Sequence, residues 1–252
     1  MNMSGGKQHE LALAMPVYNE EACIAGVVQG WYNELERLEI DFLLIILNDG
    51  SRDETAGRLE EFAGNDRIRI INKTNSGHGP TILMGYRMAV EQASWVFQTD
   101  SDDEMKPRSF QELWKRRNDF DALLGYRENR TQGTGRRLIS ALSRLTVRVF
   151  FGPGVVDVNT PYRLIRAPLL ADIVRQIPPE TFAPNVIISG ALAASQARIC
   201  NVPVPHEGRK TGAVSIVKWK LWKSAFTSFL QTATCRPKVE SPIHRAGLPG
   251  KE

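Results

Sequence analysis

The chain has 252 residues, 42% hydrophobic and 24% charged, with a formal net charge of +4. That composition is ordinary for a globular protein and gives length for one large domain or two small ones. No apolar run of about 18 residues is present, which argues against a spanning helix. The isolated Cys23, Cys200 and Cys235 offer neither a disulfide framework nor a zinc site.

Met1 to Gln8 is a polar tail, and Met1 to Glu10 lacks the apolar core of a secretory signal, so the expectation is a cytoplasmic protein. Leu11 to Met15 is a short apolar run stopped by Pro16 and reads as the first strand. From Glu21 to Leu38 the residues Ile24, Val27, Val28, Trp31, Leu35 and Leu38 fall at helical spacing, one buried stripe of an amphipathic helix. Phe42 to Leu47 is apolar throughout, as in a strand covered on both faces. Ser51 with Glu54 has the form of a capping box, which predicts a helix from Ser51 to about Ala63. Ile68 to Ile71 predicts a third strand, Ile82 to Ala89 a helix, and Trp95 to Phe97 a fourth strand. This alternation implies an α/β fold with a mostly parallel, doubly wound sheet and helices on both faces.

Beyond Ala122 to Gly125 the pattern loosens. Glu128 to Gly135 reads as a polar lid loop. Arg136 to Phe151 reads as a helix with Leu138, Leu142, Leu145 and Val149 on one stripe and Arg137, Arg144 and Arg148 on another. Val155 to Arg166 predicts a strand bent at Pro161, Pro184 to Gln196 a helix, and Ile199 to Val204 a last strand. The chain divides into a tail (1–9), one domain (10–215), a basic aromatic helix (216–235) and a C-terminal tail (236–252) that reads as disordered.

The loops that carry chemistry all follow strands. Asp100, Asp102, Asp103 and Glu104 sit where open α/β sheets place their ligands. On a strand Asp100 and Asp102 would point to opposite faces, but in a terminal turn both can reach one cation. Their hard oxygens suit Mg²⁺ or Mn²⁺ shared with substrate phosphates; a solvated acidic turn is the plainer alternative. Asp49 ends a buried strand, placed either to accept from a nucleobase or ribose or to serve turn chemistry alone. Gly77 and Gly79 allow close backbone approach, for example to phosphate, yet they form neither a P-loop nor a dinucleotide fingerprint. His78 reads as a surface residue.

Pro16 to Glu20, Asn48 to Thr55, Asn75 to Gly79 with Gly85, and Asp100 to Asp102 resemble the ordered motifs of glycosyltransferase family 2. The likeness is greatest to the branch of dolichyl- and polyprenyl-phosphate sugar synthases and spans roughly residues 10 to 215. The resemblance implies a single-domain GT-A fold, a UDP- or GDP-sugar donor, and inversion at the anomeric carbon. By the same likeness Pro16, Tyr18, Glu20, Asp49 and Ser51 line the nucleoside pocket, with Gly77 beside it, while Asp100, Asp102 and Glu104 hold the metal and diphosphate. Asp157 to Arg163 resembles the branch's Asp-x-x-Ser-Gly-Phe-Arg segment, with Thr160 and Pro161 in place of Ser-Gly, and by that likeness Arg163 would touch the donor. Arg209 to Ser215 matches an Arg-x-x-Gly-x-Ser pattern whose arginine would clamp a phosphate, with Ser215 beside it on the donor.

Two acceptors follow from charge. A polyprenyl phosphate needs no base, because its oxygen is already ionised. A hydroxyl acceptor needs a carboxylate to remove its proton, and Asp157, then Asp103, are the candidates; a salt bridge to Arg163 or another arginine is the equal alternative for Asp157. A non-catalytic nucleotide-sugar-binding protein is the third reading. The arginine stripe and Lys218 to Lys223, with Trp219 and Trp222, suit either an anionic membrane surface or a solvated basic face. No nucleic-acid-binding module is present, so nucleic acid is not expected as a partner. The expected location is cytoplasmic, at the inner face of the plasma membrane if the basic helices touch lipid.

Overall fold

The computed structural model describes residues 9–128, 144–206 and 229–239. Strands β1 (His9–Val17), β2 (Phe42–Asn48), β3 (Ile68–Asn72) and β4 (Ala93–Gln98) alternate with helices α1 (Ile24–Arg37), α2 (Thr55–Glu60) and α3 (His78–Ala89). A 3₁₀ turn, Pro107–Ser109, leads into α4 (Phe110–Arg116) and β5 (Ala122–Glu128). Residues 144–151 are helical and are called α5. Then come β6 (Arg163–Arg166), α6 (Ala167–Gln176), α7 (Pro184–Ala194) and β7 (Ile199–Pro205).

One seven-stranded sheet runs in the order β3-β2-β1-β4-β6-β5-β7. Every pairing is parallel except those of β6, which runs against both β4 and β5. The chain winds outward from β1 to β3 and returns on the other side of β1 as β4. That reversal opens a crevice at the carboxyl ends of β1 and β4, where α/β sheets take their ligands.

The two-residue period of the strands divides the core between two faces. Leu11, Leu13, Met15, Phe42, Leu44, Ile46, Trp95 and Phe97 pack with α1 and α4. Ala12, Leu43, Ile45, Leu47, Val96 and Leu124 pack with α3, α6 and α7. Beneath α3 the sheet presents Ala14, and a Cβ at Gly85 would come within 3.2 Å of the Ala14 Cβ and 3.0 Å of Leu47 Cδ1. Small residues on both sides therefore let α3 lie close to β1, which brings the loop before α3 to the crevice.

Several local expectations are corrected. α2 starts at Thr55, not Ser51, and no side chain caps it. The Ser51 hydroxyl is occupied by the Asn19 amide, and the Glu54 amide donates to Glu21 instead. Strand structure before β6 is confined to Arg163–Arg166, because Asp157 to Tyr162 folds into a turn closed by Thr160, whose Oγ1 accepts the Tyr162 amide at 3.2 Å. Helices α4 and α6 had no counterpart in the periodicity reading. α6 begins directly after β6 with Pro168 in its first turn and no capping side chain to announce it. In α5 the members of the expected apolar stripe that are described, Leu145 and Val149, are exposed, while Val147 is buried. Of the tail expected from 236, residues 236–239 are docked: Lys238 exchanges two hydrogen bonds with the Gln176 side chain, at 2.6 and 3.0 Å. The remainder of the expected lid, residues 129–135, the first part of the helix expected from Arg136, residues 136–143, and the basic stretch 216–228 lie outside the described residues.

Asp121 joins β5 to β7 and makes stability depend on pH. Its carboxylate accepts from the Arg198 amide at 2.9 Å and from that guanidinium at 3.0 and 3.2 Å, with Arg166 on the same group at 3.3 Å. Burial pushes this carboxyl up, but the bonds from Arg198 and the charge of Arg166 outweigh it and hold it below the usual range. A lowered folded value means that the stabilisation is fully present above the ordinary aspartate pKa, about 3.9, and is lost as pH falls through the folded value. Asp121→Asn is expected to lower stability by about 2 kcal/mol at pH 7, the arginines being partly exposed. In urea titrations the gap from wild type should stay constant from pH 7 to about 5 and narrow below about 4. A gap unchanged down to pH 2 would contradict the assignment.

Candidate active site

Four loops at the carboxyl ends of β1 to β4 build the crevice, and each turns sharply through a residue of positive φ. These are Asn19 (54°), Gly50 (67°), Gly77 (95°) and Asp103 (58°). Glycine, asparagine and aspartate tolerate that region best.

The first two loops are laced together. The Asn19 amide donates to Ser51 Oγ at 3.0 Å, while Asn19 Oδ1 accepts the Arg52 amide at 2.8 Å. The Glu20 amide donates to Thr55 Oγ1 at 2.8 Å, and Glu21 and Asp53 each accept an amide of the other's loop. Pro16 and Glu20 are buried and Tyr18 is exposed.

Asp49 lies buried under the third loop. Its carboxylate accepts the amides of Ser76 and Gly77 at 2.8 and 2.9 Å and pairs with Lys73. The Lys73 ammonium also donates to Ser76 Oγ at 2.7 Å and Thr81 Oγ1 at 3.2 Å. Asp49 thus fastens the loop 73–77, a long-range role distinct from local turn chemistry at 49–51. A Cβ at Gly79 would sit 2.2 Å from the Phe182 carbonyl oxygen. This residue is glycine so that the start of α3 can meet the backbone of Thr181 and Phe182.

The acidic loop rests on an aromatic floor. Trp31, Phe97, Phe110 and Tyr162 are fully buried with ring centroids 4.7 to 6.0 Å apart, and the Tyr162 hydroxyl donates to the Lys106 carbonyl at 3.1 Å. Above this floor Thr99, Asp100, Asp102, Glu104, Met105, Arg127, Pro161 and His206 line one pocket. Asp100 Oδ1 accepts from Gln98 Nε2 at 3.0 Å, and His78, largely exposed, reaches it at 3.7 Å. Asp102 Oδ1 accepts the Glu104 amide at 3.2 Å, and Glu104 meets His206 Nε2 at 2.8 Å. Asp103 turns aside and pairs with Lys106.

Among the described residues no three His, Cys, Asp or Glu side chains converge closely enough to hold a metal ion unaided. The three expected ligands share a pocket without forming a closed cage. That fits Mg²⁺ or Mn²⁺, which complete their coordination with water and substrate phosphate when the protein supplies one or two carboxylates.

Asp157 is bound in a two-pronged pair by Arg127, Nε to Oδ2 at 2.8 Å and Nη2 to Oδ1 at 3.1 Å. Arg163, expected to touch the donor, is instead fully buried beneath the crevice. Its guanidinium donates to the carbonyls of Thr160 (2.9 Å), Asn185 (3.2 Å) and Val158 (3.4 Å), so it braces the turn that carries Asp157. Burial pulls its pKa down, opposed by Tyr86, Asp157 and Asp100. Arg209 and Ser215 lie outside the described residues.

Arg127 and His206 were not singled out from the sequence as site residues. Each stands at the carboxyl end of an apolar strand, β5 or β7, and the strand-end rule that located the acids also locates them.

The sequence model of glycosyl transferase family 2 matches residues 12–173, which carry all four loops. An undecaprenyl-phosphate 4-deoxy-4-formamido-L-arabinose transferase of Pseudomonas fluorescens is 27% identical over 209 residues, covering 81% of this chain and 59% of that protein. The chain spans less than two thirds of the length of such curated relatives. Among solved structures, glucosyl-3-phosphoglycerate synthase of Mycobacterium tuberculosis with Mn²⁺, UDP and glucosyl-3-phosphoglycerate superposes with a TM-score of 0.65 at 17% identity, over 91% of this chain and 81% of that one. Mannosyl-3-phosphoglycerate synthase of Rubrobacter xylanophilus gives 0.65 at 13% identity, over 96% and 79%. These likenesses identify the fold as GT-A. A parallel sheet reversing at β1 and β4, with acids at that reversal and the family's motifs on the loops around it, leads to one conclusion: the chain belongs to glycosyl transferase family 2.

Proposed function

We propose that this enzyme moves a sugar from a UDP- or GDP-sugar to a polyprenyl phosphate, with inversion, at the inner face of the plasma membrane. The observation that carries the reading is the pocket that gathers Asp100, Asp102 and Glu104 with Arg127 at the β1–β4 reversal. A divalent cation held there by Asp100 and Asp102, with Glu104 beside them, would neutralise charge on the departing nucleoside diphosphate. Tyr18 offers an exposed ring at the mouth for the nucleobase, and the laced loops of Pro16, Glu20, Asp49, Ser51 and Gly77 form the wall behind it. Arg209 is assigned to the departing diphosphate and Ser215 to the donor.

The state of Asp157 favours a phosphate acceptor over a hydroxyl. Both its oxygens are engaged by Arg127, so it is not poised to take a proton. An ionised phosphate oxygen attacks the anomeric carbon from the face opposite the diphosphate. The new C–O bond forms as the old one breaks, its electrons leave with the β-phosphate oxygen, and no proton moves. Arg127, paired with Asp157, lines the same pocket. The relative from Pseudomonas fluorescens, named for undecaprenyl phosphate, agrees with this choice.

No helix among the described residues is long and apolar enough to cross a membrane. Contact with lipid is assigned to α5, where Leu145 and Val149 are exposed beside the exposed Arg144 and Arg148. Such a face suits an anionic surface.

The test is transfer from radiolabelled UDP- and GDP-sugars, with Mn²⁺, to polyprenyl phosphate in anionic vesicles. A lipid-linked product labile to mild acid is expected, with Asp157→Asn retaining measurable activity. Transfer to hydroxyl acceptors alone, abolished by Asp157→Asn, would replace this reading with the hydroxyl one. Binding without transfer to any acceptor would favour a nucleotide-sugar-binding protein.

A further inference from the structure

Gln98, the last residue of β4, is wholly buried and donates from Nε2 to Asp100 Oδ1 at 3.0 Å. Its side-chain amide has two orientations of similar shape and opposite polarity. With nitrogen toward Asp100 it donates to the carboxylate; reversed, it would set an oxygen against an anion. The oxygen end accepts from Asn185 Nδ2 at 3.1 Å and lies 3.3 Å from the Tyr86 hydroxyl. Asn185 in turn presents Oδ1 to the Tyr86 hydroxyl at 2.9 Å. In this arrangement the phenolic hydrogen meets only oxygens. If both amides reversed, it would meet two amide nitrogens and have no acceptor, inside a core where Tyr86 is 0% exposed. Burial raises the Tyr86 pKa far above the working range, so the hydroxyl keeps its hydrogen. Arg163 fixes the far end of the chain by holding the Asn185 carbonyl at 3.2 Å.

We propose that Tyr86 and Asn185, acting through Gln98, are positioning residues that orient Asp100 toward the donor diphosphate and its cation. The pair lies on α3 and α7, outside the crevice, and neither residue faces the pocket. The proposal rests on the reading of Asp100 given above. Residues that orient a metal-binding carboxylate typically change affinity or activity about 10- to 100-fold when replaced.

The experiment is calorimetric titration of the full chain with UDP, or GDP where wild type prefers it, with and without Mn²⁺. Tyr86→Phe, Gln98→Met and Asp100→Asn are compared with wild type, and the matching nucleoside monophosphate without metal reports on the nucleoside wall. Tyr86→Phe and Gln98→Met are expected to weaken Mn²⁺-dependent diphosphate binding about 10-fold or more, and monophosphate binding by less than about twofold. If Asp100→Asn loses Mn²⁺-dependent binding while Tyr86→Phe retains it, the positioning role is wrong and the reading of Asp100 stands. If Asp100→Asn binds like wild type, that reading fails and the proposal goes with it. An equal loss of monophosphate and diphosphate binding would mark general loosening of the fold and overturn the proposal. Tyr86→Phe removes one oxygen and carries the test even where Gln98→Met does not fold.

Discussion

Asp100→Asn is expected to lower glycosyl transfer about a thousandfold or more, a loss of about 4 kcal/mol of transition-state stabilisation. The side chain keeps its size, so the aromatic floor under the loop is undisturbed. What goes is one negative charge at the reversal of the sheet, where a cation and the departing diphosphate would meet. Gln98 then faces a neutral amide in place of a carboxylate, and only one end of that amide can accept its donor. Asp102→Asn should give a loss of the same order. Glu104→Gln should be milder, about tenfold, since Glu104 is turned toward His206 at 2.8 Å. Steady-state rates against Mn²⁺ concentration separate these cases: the aspartate variants should fall in kcat even at saturating metal, while the glutamate variant recovers as metal is raised. Near wild-type turnover in Asp100→Asn would remove this carboxylate from the mechanism.

Asp49→Ala carries the largest expected effect on stability. Asp49 is 3% exposed and is bound by two amides and the Lys73 ammonium. Truncation leaves the Ser76 and Gly77 amides without their acceptor and Lys73 without its anion in a mostly buried place. Removing one partner of a buried pair costs about 3 to 5 kcal/mol, and about 3 is expected here because Lys73 keeps a little solvent. Lys73→Met should be milder, about 1 to 2 kcal/mol, since both amides remain to hold the carboxylate. The double variant should be no worse than Asp49→Ala alone, a non-additivity that urea titrations of all three proteins would show. Fully additive losses would mean that the two side chains do not act as a unit. Nucleotide binding should fall with Asp49→Ala as well, because the 73–77 loop shapes the crevice wall.

Legibility in the sequence followed the range of the interaction. β1, β2 and β4 could be read because each is an unbroken apolar run covered on both faces, and α1 because its stripe repeats every turn. The acids could be placed at a strand end for the same reason. Ser51 misled because a capping box is defined by spacing alone, whereas Asn19 on another loop competes for its hydroxyl. Leu145 and Val149 misled because a helical stripe of apolar residues reveals a face without revealing what covers it. The turn at Asp157 to Tyr162 read as strand because β-branched residues and a proline are common to both.

By itself, then, the order of residues determined the alternation of strands and helices, the crevice at their carboxyl ends and the family, since all of these rest on local periodicity and short motifs. Tertiary structure alone decided which polar groups face substrate and which hold the scaffold. It turned Arg163 inward onto three carbonyls, bound Asp49 to the third loop, paired Arg127 with Asp157, and brought Tyr86 and Asn185 to Gln98 across 12 and 87 positions of chain. The physical reason is that a buried polar group must find a partner wherever the fold supplies one. Those partners stand on strands and helices whose adjacency no local pattern records.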